Sequence, residues 1–465
     1  MERLLLVSAD GHATMPEELW PQYLEERYHH LLPRLSGENH IFTRSMRLMN
    51  DKMLAPDDGD RDPYEVFDAD GRYRDEGWSG AWDLDVRLAE MDREGVAAEM
   101  VFHGYLRATD LFFNVSNTQY PPDVVQAGVR GYDRWAADTF GPAGDRILLI
   151  GAIDHCLDLD ATLTESRWTA EHGFAGTYMP GFTAHAEHPP LWDEHWEPVW
   201  SFYEETGMVL VVHAGWGFEQ GFSYSAVKTA WDHAHERGGS DQALIEELYS
   251  GLFNDKGFFA DLKCRRVMWQ MMLGGVFDRH PRLKVMMTEI RGDWIPSMLS
   301  HLDSVYEARR ADLPAQRRPS EYWTTNFLAG LSFMHRAEVE MRDEIGVDTI
   351  SFGRDYPHTE STWPNTREYL GMLFQGVPLE DVRKILGENL ASFLELDRTA
   401  LAPIVERVGY TPTDLDVGPV DPDLVEHIDR RTGYGKPPEL DTRLGDVGAM
   451  IEADLVPLTT GAGGA

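Results

Sequence analysis

Short runs of apolar residues recur along the chain, and each run ends in polar or ionisable residues. Continuous apolar runs of this length are typical of strands that are covered on both faces, as in a parallel sheet. Seven runs are clear: Leu4–Ala9, Ala97–Phe102, Ile147–Ile153, Phe174–Met179, Met208–Val212, Leu283–Met287 and Thr349–Phe352. An eighth strand, with a weaker pattern, is predicted near Asn326–Ser332.

Segments with helical spacing of apolar residues lie between these runs. In Leu84–Glu94 the residues Leu84, Leu88 and Met91 recur at helical intervals, and Gly95 follows as a stop signal. Further helices are predicted at Asp123–Phe140, Pro198–Thr206 and Trp294–Ala308. Alternation of strands and helices predicts βαβ units. Eight units would close a (β/α)₈ barrel, and a doubly wound open sheet is the competing architecture that strand counting leaves open.

Two regions fall outside this alternation. Residues Ser36–Trp82 are polar and predict an insertion after the first strand, which is either a lid at the catalytic rim of a barrel or a solvated loop. Beyond Leu396 the chain becomes rich in Asp, Pro and Gly. We therefore expect a barrel over residues 1–396 and a C-terminal extension over residues 397–465, which is loosely structured or packs on a neighbouring subunit.

The charge balance narrows the classes of partner. Lys and Arg number 42 against 79 Asp and Glu, which gives a formal net charge of −37. Such a field repels phosphate backbones and anionic lipid, so neither nucleic acid nor a membrane is expected as a partner. The N-terminal apolar run is too short for a signal peptide, no run approaches the ~20 residues of a membrane span, and only two cysteines are present. We expect a cytoplasmic protein.

The ends of the predicted strands carry the candidate chemistry. They supply Asp10 and His12, then His213, then Glu289, then Asp355. In barrel enzymes such ends meet at one mouth, and carboxylate and imidazole donors together suit Zn²⁺, Fe²⁺ or Mn²⁺. Taken singly, each residue also fits a capped turn, a core histidine or a local ion pair. Their joint placement favours one divalent metal site.

Several segments resemble the amidohydrolase-related group of the amidohydrolase superfamily, in particular its branch of aminocarboxymuconate-semialdehyde decarboxylase and relatives. The matching segments follow the family's order between about residues 4 and 396. They are residues Val7–His12 (VSADGH), Arg87–Val96 (RLAEMDREGV), Val211–Gly215 (VVHAG), Gly275–Lys284 (GVFDRHPRLK), Phe352–His358 (FGRDYPH) and Ile385–Asn389 (ILGEN). The resemblance implies a distorted (β/α)₈ barrel that binds one divalent ion or two, and it favours a homodimer.

The resemblance also assigns residues. Asp10 and His12 match the first-strand metal pair, His213 the fifth-strand histidine and Asp355 the eighth-strand aspartate, which binds metal or handles a water proton. Two departures stand out. Asp10 replaces the first histidine of the His-x-His pair common in the superfamily. Glu289 stands where the decarboxylases have a sixth-strand histidine, and it is a candidate general base or a ligand to a second ion.

Further candidates surround this set. With Asp355 and Glu289, His358 completes the predicted catalytic residues. His103, Trp216, Arg291 and Arg354 are the residues predicted to bind substrate, the arginines by gripping a carboxylate. Ordinary packing or ion pairing is the alternative for each, and Glu289 itself would then pair with Arg291 or Arg354.

We expect a metal-dependent hydrolase that acts on a small-molecule substrate. A metal-activated water would cleave the ester, thioester or amide bond of a carboxylic acid derivative. The alternative is metal-dependent, non-oxidative decarboxylation of an aromatic or unsaturated acid, which the glutamate at position 289 disfavours. A barrel that binds a small molecule without turnover would show a degraded ligand set, and none of the expected positions carries an inert residue.

Overall fold

The computed structural model describes residues 2–54, 61–104, 120–153, 158–180, 189–214, 224–251, 264–332, 334–432 and 444–460. Its strands are Val7–Ser8 (β1), His12–Ala13 (β2), Ala98–His103 (β3), Ile147–Gly151 (β4), Gly176–Tyr178 (β5), Val209–His213 (β6), Val285–Thr288 (β7), Phe327–Ser332 (β8) and Ile350–Gly353 (β9). All pairings are parallel, in the order β1-β3-β4-β5-β6-β7-β8-β9, and β2 pairs with β3 beyond the end of β1.

The two outer strands of this order meet and nearly close a barrel. The amide of Ala9 donates to the carbonyl of Phe352 at 2.9 Å, and the amide of Asp355 donates to the carbonyl of Asp10 at 3.2 Å. The strands therefore occupy eight positions around a (β/α)₈ barrel, as predicted, and not an open sheet. The eighth predicted strand is present as β8. We call the junction of β1 and β9 the closure seam.

Successive side chains along each strand point to opposite faces of the sheet, so the strands contribute to two separate buried apolar clusters. One cluster fills the barrel interior and includes Val7, Met100, Val209 and Met286. The other lies between the strands and the surrounding helices and includes Val101. Because both faces of each strand are buried, the strand sequences are continuously apolar.

Helices surround the barrel with bounds close to those predicted. The longer ones are Leu32–Leu54, Leu84–Arg93, Pro122–Phe140, Leu159–Glu171, Glu197–Thr206, Tyr224–Glu236, Asp241–Gly251, Arg266–Leu273, Ile295–Arg309, Pro319–Asn326, Thr366–Leu373, Arg398–Val408, Pro422–Thr432 and Leu444–Thr460. The described helices include none that combines the length and the hydropathy needed to cross a membrane.

The predicted insertion is more ordered than a solvated loop. A helix over Leu32–Leu54 occupies its first half, and Phe42, Met46 and Met49 are buried on one face of this helix. Short helices follow at Pro63–Phe67 and Gly77–Ala81. The loop interpretation is therefore wrong for these residues, because apolar side chains at helical spacing anchor the segment.

The C-terminal extension also differs from the expected loose structure. Helices Arg398–Val408, Pro422–Thr432 and Leu444–Thr460 form its described part. In the last helix Val447, Ile451 and Leu455 are fully buried, and the carboxylate of Asp454 accepts hydrogen bonds from Arg266 at 2.6 and 2.8 Å. The extension thus packs on the barrel of its own chain.

A buried carboxyl group outside the barrel wall predicts a pH-dependent stability. Asp133 has no exposed surface and accepts a hydrogen bond from the amide of Ala152 at 3.1 Å. Burial raises its pKa to about 7. Folding therefore favours the protonated form, and the stabilisation that is present below pH ~4 is lost as the pH rises through about 7.

We expect Asp133→Asn to remove this pH dependence, because asparagine keeps the acceptor without the charge. The free energy of unfolding of the variant, relative to that of the unsubstituted protein, should rise between pH 4 and 7 by up to ~4 kcal/mol and then level off. Denaturant titrations in chelator at several pH values measure the difference. A difference that is independent of pH would contradict the assignment.

Candidate metal centre

The C-terminal ends of four barrel positions bring the predicted donors together. Asp10 and His12 lie at the first position, His213 is the last residue of β6, Glu289 follows β7 and Asp355 follows β9. His12 Nε2 is 3.5 Å from Asp10 Oδ1 and 3.1 Å from Asp355 Oδ1. His213 Nε2 is 3.4 Å from the same Asp10 oxygen. One atom from each residue thus faces a common space.

Hydrogen bonds fix which ring nitrogens face this space. His12 Nδ1–H donates to the carbonyl of His103 at 3.0 Å, and His213 Nδ1–H donates to the carbonyl of Ala214 at 3.1 Å. In the neutral form of each ring, the Nε2 atom then carries the lone pair. Backbone acceptors of this kind orient metal-binding imidazoles in many proteins.

The atoms that face one another have no hydrogen-bond partners within the described part of the chain. They are Asp10 Oδ1, His12 Nε2, His213 Nε2 and Asp355 Oδ1, and all are buried. Buried polar atoms are rarely left in this state, because losing water without a replacement costs several kcal/mol. Asp10, His12, His213 and Glu289 each place one donor atom within 4.8 Å of the others, and Asp355 forms a second such group with His12 and His358. Carboxylate and imidazole donors gathered in this way fit a divalent cation.

Two of the acidic residues have unusual backbone conformations. Glu289 has φ = 55° and Asp355 has φ = 59°, in the left-handed region that residues with a Cβ rarely adopt. Strain of this kind persists where the surrounding structure enforces it, often at functional sites. In both residues it turns the side chain into the mouth directly after a strand.

The charge state of the cluster depends on burial. Burial raises the pKa of Glu289 well above its usual value, and the carboxylates of Asp355 and Asp10 raise it further. Burial also raises the pKa of Asp355. The pKa of His213 is about 9, because attraction to Asp10 and Glu289 outweighs the effect of burial. Without a cation the site therefore retains protons, which a bound ion would displace.

Glu289 does not pair with either arginine proposed as its alternative partner. Its Oε2 lies 3.4 Å from His213 Nδ1, and its side chain is 11% exposed at the edge of the cluster. Arg291 binds Asp293 instead, through contacts of 3.1 and 2.9 Å. Glu289 is thus close enough to the cluster to serve as a ligand or as a proton carrier.

His358 and Glu360 extend the site along the segment after β9. The His358 ring stacks on the His12 ring, with 4.0 Å between the ring centroids and an angle of 6° between the ring planes. Its Nδ1 lies 3.4 Å from Asp355 Oδ2 and 3.5 Å from Glu360 Oε1. Sequence reasoning did not single out Glu360. Its position, five residues after Asp355 in the segment that follows β9, could have indicated that it lies near the site.

The residues predicted to bind substrate are placed differently from one another. His103 is 9% exposed, and its ring packs on Tyr178 with 4.9 Å between the ring centroids. Arg354 is fully buried and its Nε binds Glu99 at 2.5 Å, so the prediction that it grips a substrate carboxylate is not supported. Arg291 lies beside the site, bound to Asp293. Trp216 lies outside the described residues.

Comparisons with known proteins match most of the chain. A family model described as Amidohydrolase matches residues 11–396. Gamma-resorcylate decarboxylase from Rhizobium sp. (strain MTP-10005) is 24% identical over 284 residues, which cover 59% of this chain and 76% of the relative.

Solved structures share the fold. An amidohydrolase from Mycobacterium avium subsp. paratuberculosis K-10 superposes with a TM-score of 0.56 at 18% identity, covering 84% of this chain and 99% of its own. A 5-carboxyvanillate decarboxylase from Novosphingobium aromaticivorans, complexed with manganese and 4-hydroxy-3-methoxy-5-nitrobenzoic acid, superposes with a TM-score of 0.52 at 16% identity. The superposition covers 84% of this chain and 96% of that decarboxylase.

Proposed function

The chain belongs to the amidohydrolase family, and we propose that it is a metal-dependent decarboxylase of a small aromatic or unsaturated carboxylic acid. The observation that carries the proposal is a chain of buried donor atoms without hydrogen-bond partners in the barrel mouth, in which Asp355 Oδ1, His12 Nε2, Asp10 Oδ1 and His213 Nε2 are joined by contacts of 3.1, 3.5 and 3.4 Å. The reaction type follows from the sequence similarity to gamma-resorcylate decarboxylase.

The expectation of a hydrolase is wrong. It rested on Glu289 in place of the sixth-strand histidine of the decarboxylases, whereas the curated relative is itself a decarboxylase. A carboxyl group that retains its proton can donate it to carbon, so a glutamate is compatible with decarboxylation. The alternative weighed from the sequence, non-oxidative decarboxylation, is the better supported reaction.

We propose manganese as the ion. Two carboxylates with two imidazoles form a mixed oxygen and nitrogen set that suits Mn²⁺, and a solved decarboxylase of the same fold holds manganese. Asp10, His12, His213 and Asp355 would hold it. When bound, the cation would supply positive charge that attracts the substrate oxygens and stabilises negative charge as it develops.

We assign the proton transfer to Glu289. In decarboxylation the bond between the carboxyl carbon and its neighbour breaks, CO₂ leaves, and the electron pair stays on the neighbouring carbon, which must then accept a proton. Glu289 stands at the edge of the donor set, with its Oε2 3.4 Å from His213 Nδ1, and so lies within reach of a substrate bound at the cation. His358 lies beside Asp355 Oδ2, whereas Asp355 Oδ1 is directed at His12 Nε2.

We expect metal-dependent release of CO₂ from hydroxybenzoates. The protein treated with chelator should lose activity toward 2,6-dihydroxybenzoate and 5-carboxyvanillate by roughly tenfold or more, and Mn²⁺ should restore it. Mass spectrometry of the products distinguishes loss of CO₂ from hydrolysis, with aryl esters and thioesters as parallel substrates. Cleavage of the esters or thioesters, with no loss of CO₂ from any acid tested, would contradict the proposal.

A further inference from the structure

A buried ionic triad lies directly behind the metal-binding residues. Glu99 binds Arg87 through Oε2 at 2.6 Å and Arg354 through Oε1 at 2.5 Å. All three side chains have no exposed surface. Burying three charges together carries a large desolvation cost, which close ion pairs and hydrogen bonds must offset. The location of the triad therefore indicates which part of the structure it supports.

Glu99 supports the turn between two predicted ligands. It lies on β3 between Ala98 and Met100, which face the barrel interior, so its own side chain faces the helices. A Cβ placed on Gly11 would lie 2.8 Å from Glu99 Cδ. The carboxylate is therefore in close contact with the backbone that separates Asp10 from His12.

Arg87 connects the triad to the same turn from the other side. It lies on the helix Leu84–Arg93, and its Nη2–H donates to the carbonyl of His12, while its Nε–H donates to the carbonyl of Gly80 at 2.8 Å. Arginine's planar fork allows one side chain to bind a carboxylate and a backbone carbonyl simultaneously. Arg87 thus fixes the position of a ligand residue without reaching the ion.

Arg354 connects the triad to the other side of the closure seam, because it immediately precedes Asp355. Its amide donates to Ser8 Oγ at 3.0 Å, and the Ser8 hydroxyl donates to the carbonyl of Asp10 at 2.7 Å. The guanidinium groups of Arg87 and Arg354 also lie over the Tyr356 ring, at 5.0 and 4.6 Å from its centroid. The triad therefore spans the two strand ends that carry three of the four proposed ligands.

We propose that Arg87, Glu99 and Arg354 are positioning residues that hold Asp10 and His12 at the correct distance from Asp355 and so set the affinity for the metal ion. The proposal rests on the metal site described under the proposed function. The triad acts through the backbone of the ligand segments.

The test is Mn²⁺ binding by the full chain carrying Glu99→Gln. The amide keeps the shape of the carboxylate, but its NH₂ group faces a guanidinium that can only donate. We expect the affinity for Mn²⁺ in the protein first stripped by chelator to fall by roughly 10- to 100-fold. The visible absorption spectrum of the Co²⁺-loaded variant should also change, since it reports ligand geometry and not stability.

Asp133→Asn is the matched control. It also alters a fully buried carboxyl group outside the barrel wall, but Asp133 binds the amide of Ala152 and not the ligand segments. This variant should keep its Mn²⁺ affinity to within about twofold and its Co²⁺ spectrum. An equal loss in the control would overturn the proposal, because any buried carboxyl group would then have the same effect.

Arg87→Lys and Arg354→Lys test the positioning role of the triad if Glu99→Gln does not fold. Each keeps the positive charge but lacks the planar fork, so we again expect weaker Mn²⁺ binding and an altered Co²⁺ spectrum. Binding within about twofold of the unsubstituted protein, with an unchanged spectrum, would refute the positioning role of the triad. Failure of the unsubstituted protein to bind Mn²⁺ would instead refute the metal site of the proposed function.

Discussion

Replacement of His12 by alanine should remove the bound metal ion and lower kcat/KM for decarboxylation by about 10³-fold or more. His12 Nε2 faces a carboxylate oxygen from each side of the closure seam, Asp10 Oδ1 and Asp355 Oδ1. Without the imidazole the cation has one ligand fewer, and it is held less tightly by the remaining three residues. A metal ion contributes several kcal/mol of transition-state stabilisation, and each tenfold loss in rate corresponds to about 1.4 kcal/mol.

Metal content and kinetics of the purified variant measure this effect. His172→Ala is the control, because His172 is an exposed histidine that binds the carbonyl of Trp168 on an outer helix. The control should keep both metal and activity. A His12→Ala protein that retains full activity without metal would exclude the site.

Replacement of Glu289 by glutamine should separate catalysis from metal binding. Glutamine keeps the size of the side chain but cannot donate a carboxylic proton, so kcat should fall by about 10²- to 10⁴-fold. The Mn²⁺ content should remain that of the unsubstituted protein, because four other residues supply the ligands. Steady-state kinetics together with the ratio of metal to chain in the same sample test both halves of this expectation.

Glu165→Gln provides the comparison for this variant, since Glu165 is a buried glutamate that binds Arg134 at the periphery. Its kcat should be unchanged to within a few-fold. If Glu289→Gln loses metal in step with activity, Glu289 is a ligand and not the proton donor. A kcat close to that of the unsubstituted protein would remove Glu289 from the mechanism.

The sequence was sufficient to predict the barrel and the convergence of the main donors. Parallel strands have their carboxyl ends at one face of a barrel, so residues that follow separate strands, such as Asp10, His213 and Asp355, must approach one another. The same logic brought Glu289 to the site. What a strand-end pattern cannot convey is the orientation of each side chain, which depends on local backbone geometry such as the positive φ of Asp355.

Arg354 shows this limit most clearly. It is adjacent to Asp355, which suggested a shared role toward substrate, yet neighbouring residues at a strand end point to opposite sides, and Arg354 lies behind the barrel wall. The informative signal was Glu99, a charged residue within the apolar strand Ala98–His103. A charged carboxylate is costly to bury without a partner, and the chain supplies two arginines for Glu99.

The helix within the insertion and the reaction type were missed for different reasons. The insertion was judged by its polar composition, although Phe42, Met46 and Met49 recur at helical spacing and are buried in a helix. Decarboxylation was ranked below hydrolysis because Glu289 replaces the sixth-strand histidine. The same donor set can support hydrolysis or decarboxylation, because the bond that breaks depends on the substrate and on which group holds the proton.

Anomalous diffraction at the manganese edge, from crystals of the protein grown with Mn²⁺, would show whether one cation binds between the strand ends. We expect a peak at coordination distance from Asp10 Oδ1, His12 Nε2, His213 Nε2 and Asp355 Oδ1, in a protein that releases CO₂ from a hydroxybenzoate. A mouth without a peak, in crystals of protein shown to be an active decarboxylase under the same conditions, would contradict it.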